Sequence, residues 1–341
     1  MKRGRTAISL AAALLVCIAG CSSKDKGAGS AEDRSQSDEA PVLPEGFERF
    51  YSVAEYPRTD GSETTHPLGV MLACKFTGTR WQWGMDSNKQ AKQLYPVLSR
   101  TASGGPVPEN CHKALMEKVA QSGTHQSYEN LIEGRAELIL VGREPSEDEL
   151  SLAARKQTGL EIHPIAQDAL VFIRQTTNPV EGLTTQQIRD IYSGKIASWQ
   201  QLGWEDKRIF ACQHEAGTAC REAMMKLVMQ SEPFKPAGGG VSVSMAAVYV
   251  VVRAEGDAMA CASYYYDRHV FPPGQVKLFA VDGVMPDDQT VRSGEYPFVT
   301  RLYVVSRKGL DKQSPAARIR DWLRGWDGQA FVAECGYTPM R

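Results

Sequence analysis

The stretch PIAQDALVFIRQTTNPVEGLTTQQIRDIYSGKIASWQQLGW, residues 164–204, joins a strong strand pattern to a well-marked helix. Residues 168–174, DALVFIR, form a short apolar run of the kind that occupies buried strands. After a polar crossing, Thr184 or Thr185 provides a helix N-cap, and Gly194 provides a glycine stop. A buried strand that leads into a capped helix is the building unit of α/β folds.

The same alternation runs through most of the chain. Apolar strand patterns occupy residues 136–142, 168–174, 207–212, 257–263, 275–281 and 301–307. Helical patterns occupy residues 126–135, 146–159, 184–194, 219–230, 244–256 and 314–335, and Ser146 with Glu149 forms a capping box. Strands that alternate with helices predict an α/β fold with mostly parallel sheets.

The first twenty residues have the pattern of a secretory signal. Lys2, Arg3 and Arg5 precede an apolar run that ends in the lipobox Ile18–Cys21. Cleavage before Cys21 would expose a thiol that receives a lipid such as palmitate. The run is shorter than the roughly 20 apolar residues of a membrane-spanning helix. The sequence therefore predicts a protein that is exported and lipid-anchored to a bacterial membrane, facing the periplasm or the cell exterior.

Residues 21–46 are polar and almost without large apolar side chains, which predicts a flexible tether. The folded part then begins near Phe47 and is long enough for two lobes. Removing the three basic residues of the signal leaves 36 Lys plus Arg against 40 Asp plus Glu, a balance of −4. Without a basic patch the chain is not expected to bind nucleic acid.

Six of the eight cysteines belong to the folded part: Cys74, Cys111, Cys212, Cys220, Cys261 and Cys335. An even number in an exported chain favours disulfides, although six cysteines allow 15 pairings. A bridge from Cys261 to Cys212, with Cys220 as the competing partner, is one possibility. The histidines are scattered, and His125 with Glu129 is only a lone pair at helical spacing. No metal and no cofactor are expected.

Four small, hydroxyl-bearing or glycine-containing loops each precede a predicted helix. They are residues 60–65, 122–127, 142–146 and 213–220. In α/β folds, ligands bind at such loops beyond the carboxyl ends of the strands. Free N–H groups and the positive dipole end of a helix attract an anion there. In the first loop Ser62, Thr64 and Thr65 stand ahead of a helix at Pro67, either as ordinary caps or as anion ligands.

The chain resembles the substrate-binding lipoproteins of phosphate ABC importers, in the type II periplasmic-binding superfamily. Within 164–204 the resemblance rests on Asn178-Pro179, Leu183-Thr184, the run Ile191–Ile196 and Trp199. Residues 60–68, 124–150, 276–298 and 328–340 match the family in order and spacing. The resemblance implies the type II periplasmic-binding fold, with two α/β lobes joined by a two-strand hinge. Lobe 1 would comprise residues 47–176 and 292–341, and lobe 2 residues 177–291.

The same resemblance implies that one small oxyanion, inorganic phosphate above all, is held in the cleft between the lobes. The implied ligands are Ser62, Thr64, Thr65, Thr124, His125, Arg143, His214, Gly217, Thr218 and Arg221. The second-lobe loop departs from the family, since AGTAC (216–220) is shortened and has lost one hydroxyl. Within it, Ala219 replaces a polar or cationic residue. His214 stands where many relatives carry arginine, and Arg221 could supply the missing charge.

Arg143 occupies a position where better-known phosphate binders carry a carboxylate. That carboxylate accepts a proton from phosphate and rejects sulfate, because a buried acceptor facing a fully deprotonated anion is unpaired and repelled. A guanidinium cannot read the protonation state of an oxyanion. Arg143 therefore predicts weaker discrimination between phosphate and sulfate. The alternative for Arg143 is a surface position or an ion pair with Glu147.

The implied function is a monomeric solute receptor that passes its anion to an ABC permease, with no enzymatic activity. No nucleophile–base pair and no nucleotide-binding glycine loop point to catalysis. The altered second-lobe loop favours one alternative. The same fold could serve without transport, as a sensor of an anion or small acid, or as an envelope interaction protein.

Overall fold

The computed structural model describes residues 41–86, 89, 91–97, 111–235, 241–242, 244–271, 273–274 and 276–340. The predicted signal, its lipobox with Cys21, and residues 21–40 of the predicted tether lie outside this part. The helices are α1 His66–Thr77, α2 Lys113–Met116, α3 Thr124–Ile132, α4 Glu147–Arg155, α5 Thr185–Ser193, α6 Ala219–Ala223, α7 Met245–Ala254, α8 Asp288–Ser293, α9 Pro315–Arg324 and α10 Trp326–Glu334.

The strands are β1 Thr59–Gly61, β2 Arg80–Met85, β3 Lys92–Val97, β4 Leu138–Val141, β5 Leu160–Gln175, β6 Gly182–Leu183, β7 Phe210–Ala211, β8 Gln213–His214, β9 Val241–Ser242, β10 Ala258–Ser263, β11 Val276–Leu278, β12 Ala280–Val281, β13 Val299–Arg307 and β14 Thr338–Pro339. Short 3₁₀ turns cover Glu63–Thr65 and Trp199–Leu202, and π-helical turns cover Met224–Met229 and Tyr266–Val270. The predicted α/β class is confirmed.

The main sheet has the order β1-β4-β13-β5-β10-β7, with β11 and β14 also paired to β5. β1 runs parallel to β4, and β10 runs parallel to β7. β13 is antiparallel to both β4 and β5, and β10 is antiparallel to β5. The sheet is therefore mixed, and the prediction of mostly parallel sheets was wrong. The long strands β5 and β13 are neighbours that run in opposite directions, so the centre of the sheet is antiparallel.

β5 is the longest strand and changes partners along its length. Its first part pairs with β13 and β14, up to Ala169 opposite Val299. Its second part pairs with β10 and β11, from Leu170 opposite Ser263 onward. The strand thus links two groups of elements, which meet at Asp168–Leu170.

The helix after β5 forms as its sequence indicates. The Thr184 hydroxyl accepts a hydrogen bond from the N–H of Gln187, and Gly194 ends α5 in the left-handed conformation with φ 86°. The pattern at 314–335 instead forms two helices, because Gly325 adopts an extended conformation between α9 and α10. Gly328 then packs so closely on the carbonyl of Trp322 that a Cβ would overlap it.

The six cysteines of the folded part are buried free thiols, so the predicted disulfides do not form in this structure. Cys212 and Cys261 are both buried and unbridged, so the possible pair named from the sequence does not form in this structure.

Among the described residues, none of the helices combines the length and apolar character needed to cross a bilayer.

Candidate functional site

Four segments enclose a cavity of about 370 Å³. They are residues 62–64 ahead of α1, residues 121–126 at the start of α3, residues 214–220 leading into α6, and residues 244–245 at the start of α7. Three of the four loops singled out in the sequence contribute, and the loop at 142–146 does not. The cavity lies where helices begin, so several backbone N–H groups without intrahelical partners are close to it.

The first two segments are held together by the buried carboxylate of Asp60, at the start of the first predicted loop. Asp60 Oδ1 accepts hydrogen bonds from the N–H of Gly61 at 2.7 Å and of Ser122 at 2.9 Å. Asp60 Oδ2 accepts one from the Asn130 amide at 2.6 Å. Because Asp60 lies on β1 and Asn130 on α3, this carboxylate fixes the loop after β1 against the loop before α3.

Three hydroxyls form a chain in the first segment. Ser62 Oγ lies 3.0 Å from Thr64 Oγ1 and 2.9 Å from Thr65 Oγ1. Thr65 is fully buried and donates to the carbonyls of Ser62 and Leu140. Ser62 and Thr64 therefore line the cavity, whereas Thr65 lies behind them and orients Ser62.

The hydroxyl of Thr124 differs from the other cavity hydroxyls in its hydrogen bonding. Its side chain is 2% exposed, lines the cavity, and leaves Oγ1 without a hydrogen-bond partner in the described part of the chain. A buried polar atom without a partner costs free energy that a ligand can recover. The neighbouring His125 also lines the cavity, but its Nδ1 lies 2.9 Å from Glu149 Oε1.

His214 lines the third segment and is oriented away from anion binding. Its Nε2 lies 2.9 Å from the carbonyl oxygen of Cys261, which can only accept, so Nε2 carries the proton. Burial lowers the pKa of His214, which keeps the ring neutral near pH 7. Its Nδ1 is then an acceptor and cannot donate a hydrogen bond to an oxyanion.

The remaining predicted residues of this segment shape the loop. Gly217 adopts φ 80°, a left-handed conformation that favours glycine. The Thr218 hydroxyl caps α6, since it accepts from the N–H of Arg221 at 3.2 Å and donates to the carbonyl of Glu215 at 2.8 Å. Both residues line the cavity.

Gly142 allows the first and third segments to approach each other. A Cβ at this position would lie 2.9 Å from the Cβ of Ala219 and 3.2 Å from Thr64 Oγ1. The small residue Ala219, which departs from the resembled family, thus fits against a glycine at the end of β4.

Besides Thr65, the predicted ligands Arg143 and Arg221 do not line the cavity. Arg143 donates to both carboxylate oxygens of Glu149, at 2.7 and 2.8 Å, so its ion-pair partner is Glu149 and not Glu147. The guanidinium carbon Cζ of Arg221 lies 3.5 Å from the centroid of the Phe234 ring, and the guanidinium donates a hydrogen bond to Gln213 Oε1. The expected weak discrimination between phosphate and sulfate stays a prediction.

Glu63 is a site residue that the sequence reasoning missed. It lines the cavity and its Oε2 accepts a hydrogen bond of 2.9 Å from the N–H of Met245. Burial raises the pKa of the Glu63 carboxyl, and this hydrogen bond partly offsets the effect. The contact joins residues 182 positions apart, which no local sequence pattern could reveal.

The cavity offers neutral donors in place of cations. No lysine or arginine is found among the described residues that line it, and Glu63 and Glu215 are its carboxylates. Hydroxyls and helix N-terminal N–H groups can hold a small anion without covalent chemistry. Nor do the described residues contain a cluster of three or more His, Cys, Asp or Glu that could hold a metal ion.

Comparisons with known proteins agree on one family. Residues 94–326 match the model of the family described as PBP superfamily domain. The Phosphate-binding protein PstS of Bacillus subtilis is 25% identical over 178 residues, and the match covers 51% of this chain and 57% of that protein. The protein of the same name in Staphylococcus epidermidis is 23% identical over 236 residues, covering 67% of this chain and 71% of the relative.

A similar solved structure comes from Clostridium perfringens. That protein is assigned as a phosphate ABC transporter substrate-binding protein and was solved with bound phosphate. It has a TM-score of 0.62 and 21% identity, and the match covers 83% of this chain and 98% of that one. At this identity the likeness shows the fold.

Proposed function

The chain belongs to the PBP superfamily domain family, and from this premise we propose that it is a solute receptor that captures inorganic phosphate or a closely related oxyanion for an ABC importer. The relatives in Bacillus subtilis and Staphylococcus epidermidis are named phosphate-binding proteins. The type II periplasmic-binding fold expected from the sequence is confirmed.

The observation that carries the proposal is the unpartnered Thr124 hydroxyl. Its buried Oγ1 lines the cavity beside the hydroxyls of Ser62, Thr64 and Thr218. A tetrahedral oxyanion has several oxygens, each of which accepts hydrogen bonds from donors on the protein. It can therefore accept the hydrogen bond that the Thr124 hydroxyl donates to no described residue, together with hydrogen bonds from the free N–H groups nearby.

The proposed transport cycle involves motion of the two lobes about the middle of β5 and the start of β13, where Ala169 pairs with Val299. We assign residues 47–176 and 292–341 to one lobe and 177–291 to the other. The change of partners along β5 at Asp168–Leu170 favours a junction several residues before the boundary at 176, because residues 170–175 pair with β10 and β11 of the second lobe. Closure of the lobes around the anion, docking on a permease and release would complete the cycle. This cycle needs no covalent step, and the proposed role is that of a receptor without enzymatic activity.

Export and lipid anchoring complete the proposal. The basic start, the apolar run and Cys21 in the lipobox support anchoring of the mature protein through its N-terminal cysteine. The polar residues 22–46 would then hold the receptor at a distance from the membrane while it remains free to turn.

Calorimetric titration of the purified protein with phosphate, and separately with sulfate, tests the proposal. We expect saturable binding of phosphate at one site per chain. Absence of binding by either anion, in a protein whose fold is verified by circular dichroism, would contradict the receptor function and favour a role without anion capture.

A further inference from the structure

A second cavity, of about 150 Å³, adjoins the first. The two cavities share Glu63 and Gln121, and Met245 of the first is followed in α7 by Ala246 of the second. A five-atom oxyanion displaces only about two or three waters of ~30 Å³ each. The combined space suits an oxyanion that carries a substituent.

The second cavity is lined by aromatic, apolar and polar side chains. Trp83 and Leu94 lie opposite each other in the β2–β3 pair, and His66 lies at the first turn of α1. Tyr266 also lines the cavity, and its hydroxyl donates to the carbonyl of Glu63. Asp86 and Lys92, at the end of the same hairpin, contribute charges of opposite sign.

Glu63 stands between the cavities as a carboxylate without a counterion. In the described part of the chain no lysine, arginine or histidine forms an ion pair with it, and its hydrogen bond comes from the neutral N–H of Met245. In its ionised form, this carboxyl would repel an oxyanion in the first cavity. A ligand that brings its own positive charge to Glu63 would turn this repulsion into attraction.

Each cavity also contains one buried polar atom without a partner in the described residues. Thr124 Oγ1 lines the first cavity only, and His66 Nδ1 belongs to a residue that lines the second cavity only. Burial lowers the pKa of His66 to about 4, so the ring is neutral near pH 7 and does not repel a cation. Bare phosphate could satisfy Thr124 but would leave His66 unpartnered.

We propose that the ligand is a phosphate monoester or phosphonate with a primary ammonium group on a short alkyl substituent. This inference rests on the proposed function and specifies its substrate class. The oxyanion occupies the first cavity beside Thr124. The ammonium lies between the Glu63 carboxylate and the face of Trp83, where charge-assisted hydrogen bonding and a cation–π contact both favour it. When the neutral ring of His66 carries its proton on Nε2, its Nδ1 can accept a further hydrogen bond from the ammonium.

The test compares three probes on the full chain by calorimetry at pH 7.5: inorganic phosphate, ethylphosphonate and 2-aminoethylphosphonate. The last two differ only by the amine. We expect 2-aminoethylphosphonate to bind about tenfold or more tightly than ethylphosphonate, since the amine gains a charge-assisted hydrogen bond. Glu63→Gln keeps an acceptor for the N–H of Met245 but removes the charge, and should abolish this preference.

Glu147→Gln is the matched control, since Glu147 is exposed and lies outside both cavities. It should retain the preference for the amine. Phosphate binding with equal affinities for the two phosphonates would overturn the substrate class and leave the receptor function intact. Failure of all three probes to bind would overturn the receptor function itself and this inference with it.

Discussion

Glu63 Oε2 accepts a hydrogen bond of 2.9 Å from the backbone N–H of Met245, which joins the loop before α1 to the N-terminus of α7. The carbonyl of the same Glu63 accepts from the Tyr266 hydroxyl at 2.7 Å. Two distant parts of the chain are thereby held against the loop that carries Ser62 and Thr64. These two hydrogen bonds therefore help to position the residues that line the cavity.

Thr124→Val should weaken phosphate binding by about tenfold or more, because the anion loses one charge-assisted hydrogen bond. The free energy of unfolding should hardly change, since the hydroxyl has no partner in the described residues.

Thr65→Val is the contrasting variant, because Thr65 donates to two buried carbonyls and its loss should cost about 1–2 kcal/mol of stability. Calorimetry and urea unfolding measure both effects; unchanged phosphate affinity in Thr124→Val would argue against this hydroxyl as a ligand.

Arg143→Met should lower the free energy of unfolding by about 3 kcal/mol or more, because it leaves the buried carboxylate of Glu149 without its bidentate partner. Arg155→Met, at an exposed position on α4, should change it by less than about 0.5 kcal/mol. Urea denaturation measures both variants. If Arg143→Met keeps full stability but loses phosphate binding, Arg143 is a direct ligand and not a support for α4.

Local patterns predicted the elements whose signals lie within a few residues. α5 begins at its Thr184 cap and ends at Gly194 as its sequence indicates. The break between α9 and α10 was missed, because it depends on the packing of Gly328 against Trp322 and not on helical periodicity. The mixed character of the sheet was missed as well, since strand direction is decided by partners far away in sequence.

The same distinction applies to the site. Ser62, Thr64 and Thr218 were found from small hydroxyl residues ahead of helices, and they line the cavity. Glu63 and Asp60 were not found, because their contacts with Met245 and Asn130 cross long stretches of chain. The pairing of Arg143 with Glu149 instead of Glu147 depends on the fold of the loop before α4.

The six buried cysteines should all be free. Burial raises the pKa of the Cys212 and Cys261 thiols to about 12, so little thiolate forms at pH 8. Iodoacetamide should label all six within the urea-unfolded protein without a reductant, and label them slowly in the native protein. Peptide mass spectrometry reads each site. A pair that becomes labelled only after reduction would reveal a disulfide and contradict the expectation.

Stability should fall as pH rises because of Asp267. Burial raises the pKa of its carboxyl from 3.8 to about 6 in the folded protein. The stabilising contribution is thus complete below about pH 4 and is lost as pH rises through 6. Asp267→Asn should become more stable than the wild type by about 1–3 kcal/mol between pH 4 and 7, allowing for partial exposure.

Urea midpoints at pH 4, 5, 6 and 7 measure this difference. Glu48→Gln, at an exposed position, serves as the control and should follow the wild type. A constant difference between Asp267→Asn and the wild type across these pH values would contradict a raised pKa at this position.

The central claim is that an oxyanion binds in the cavity beside Thr124. A crystal structure of the protein grown with phosphate, from a sulfate-free solution, tests it most directly. We expect a tetrahedral anion within hydrogen-bond distance of Thr124 Oγ1 and close to Ser62. An empty cavity at saturating phosphate, or an anion bound only elsewhere on the protein, would contradict it.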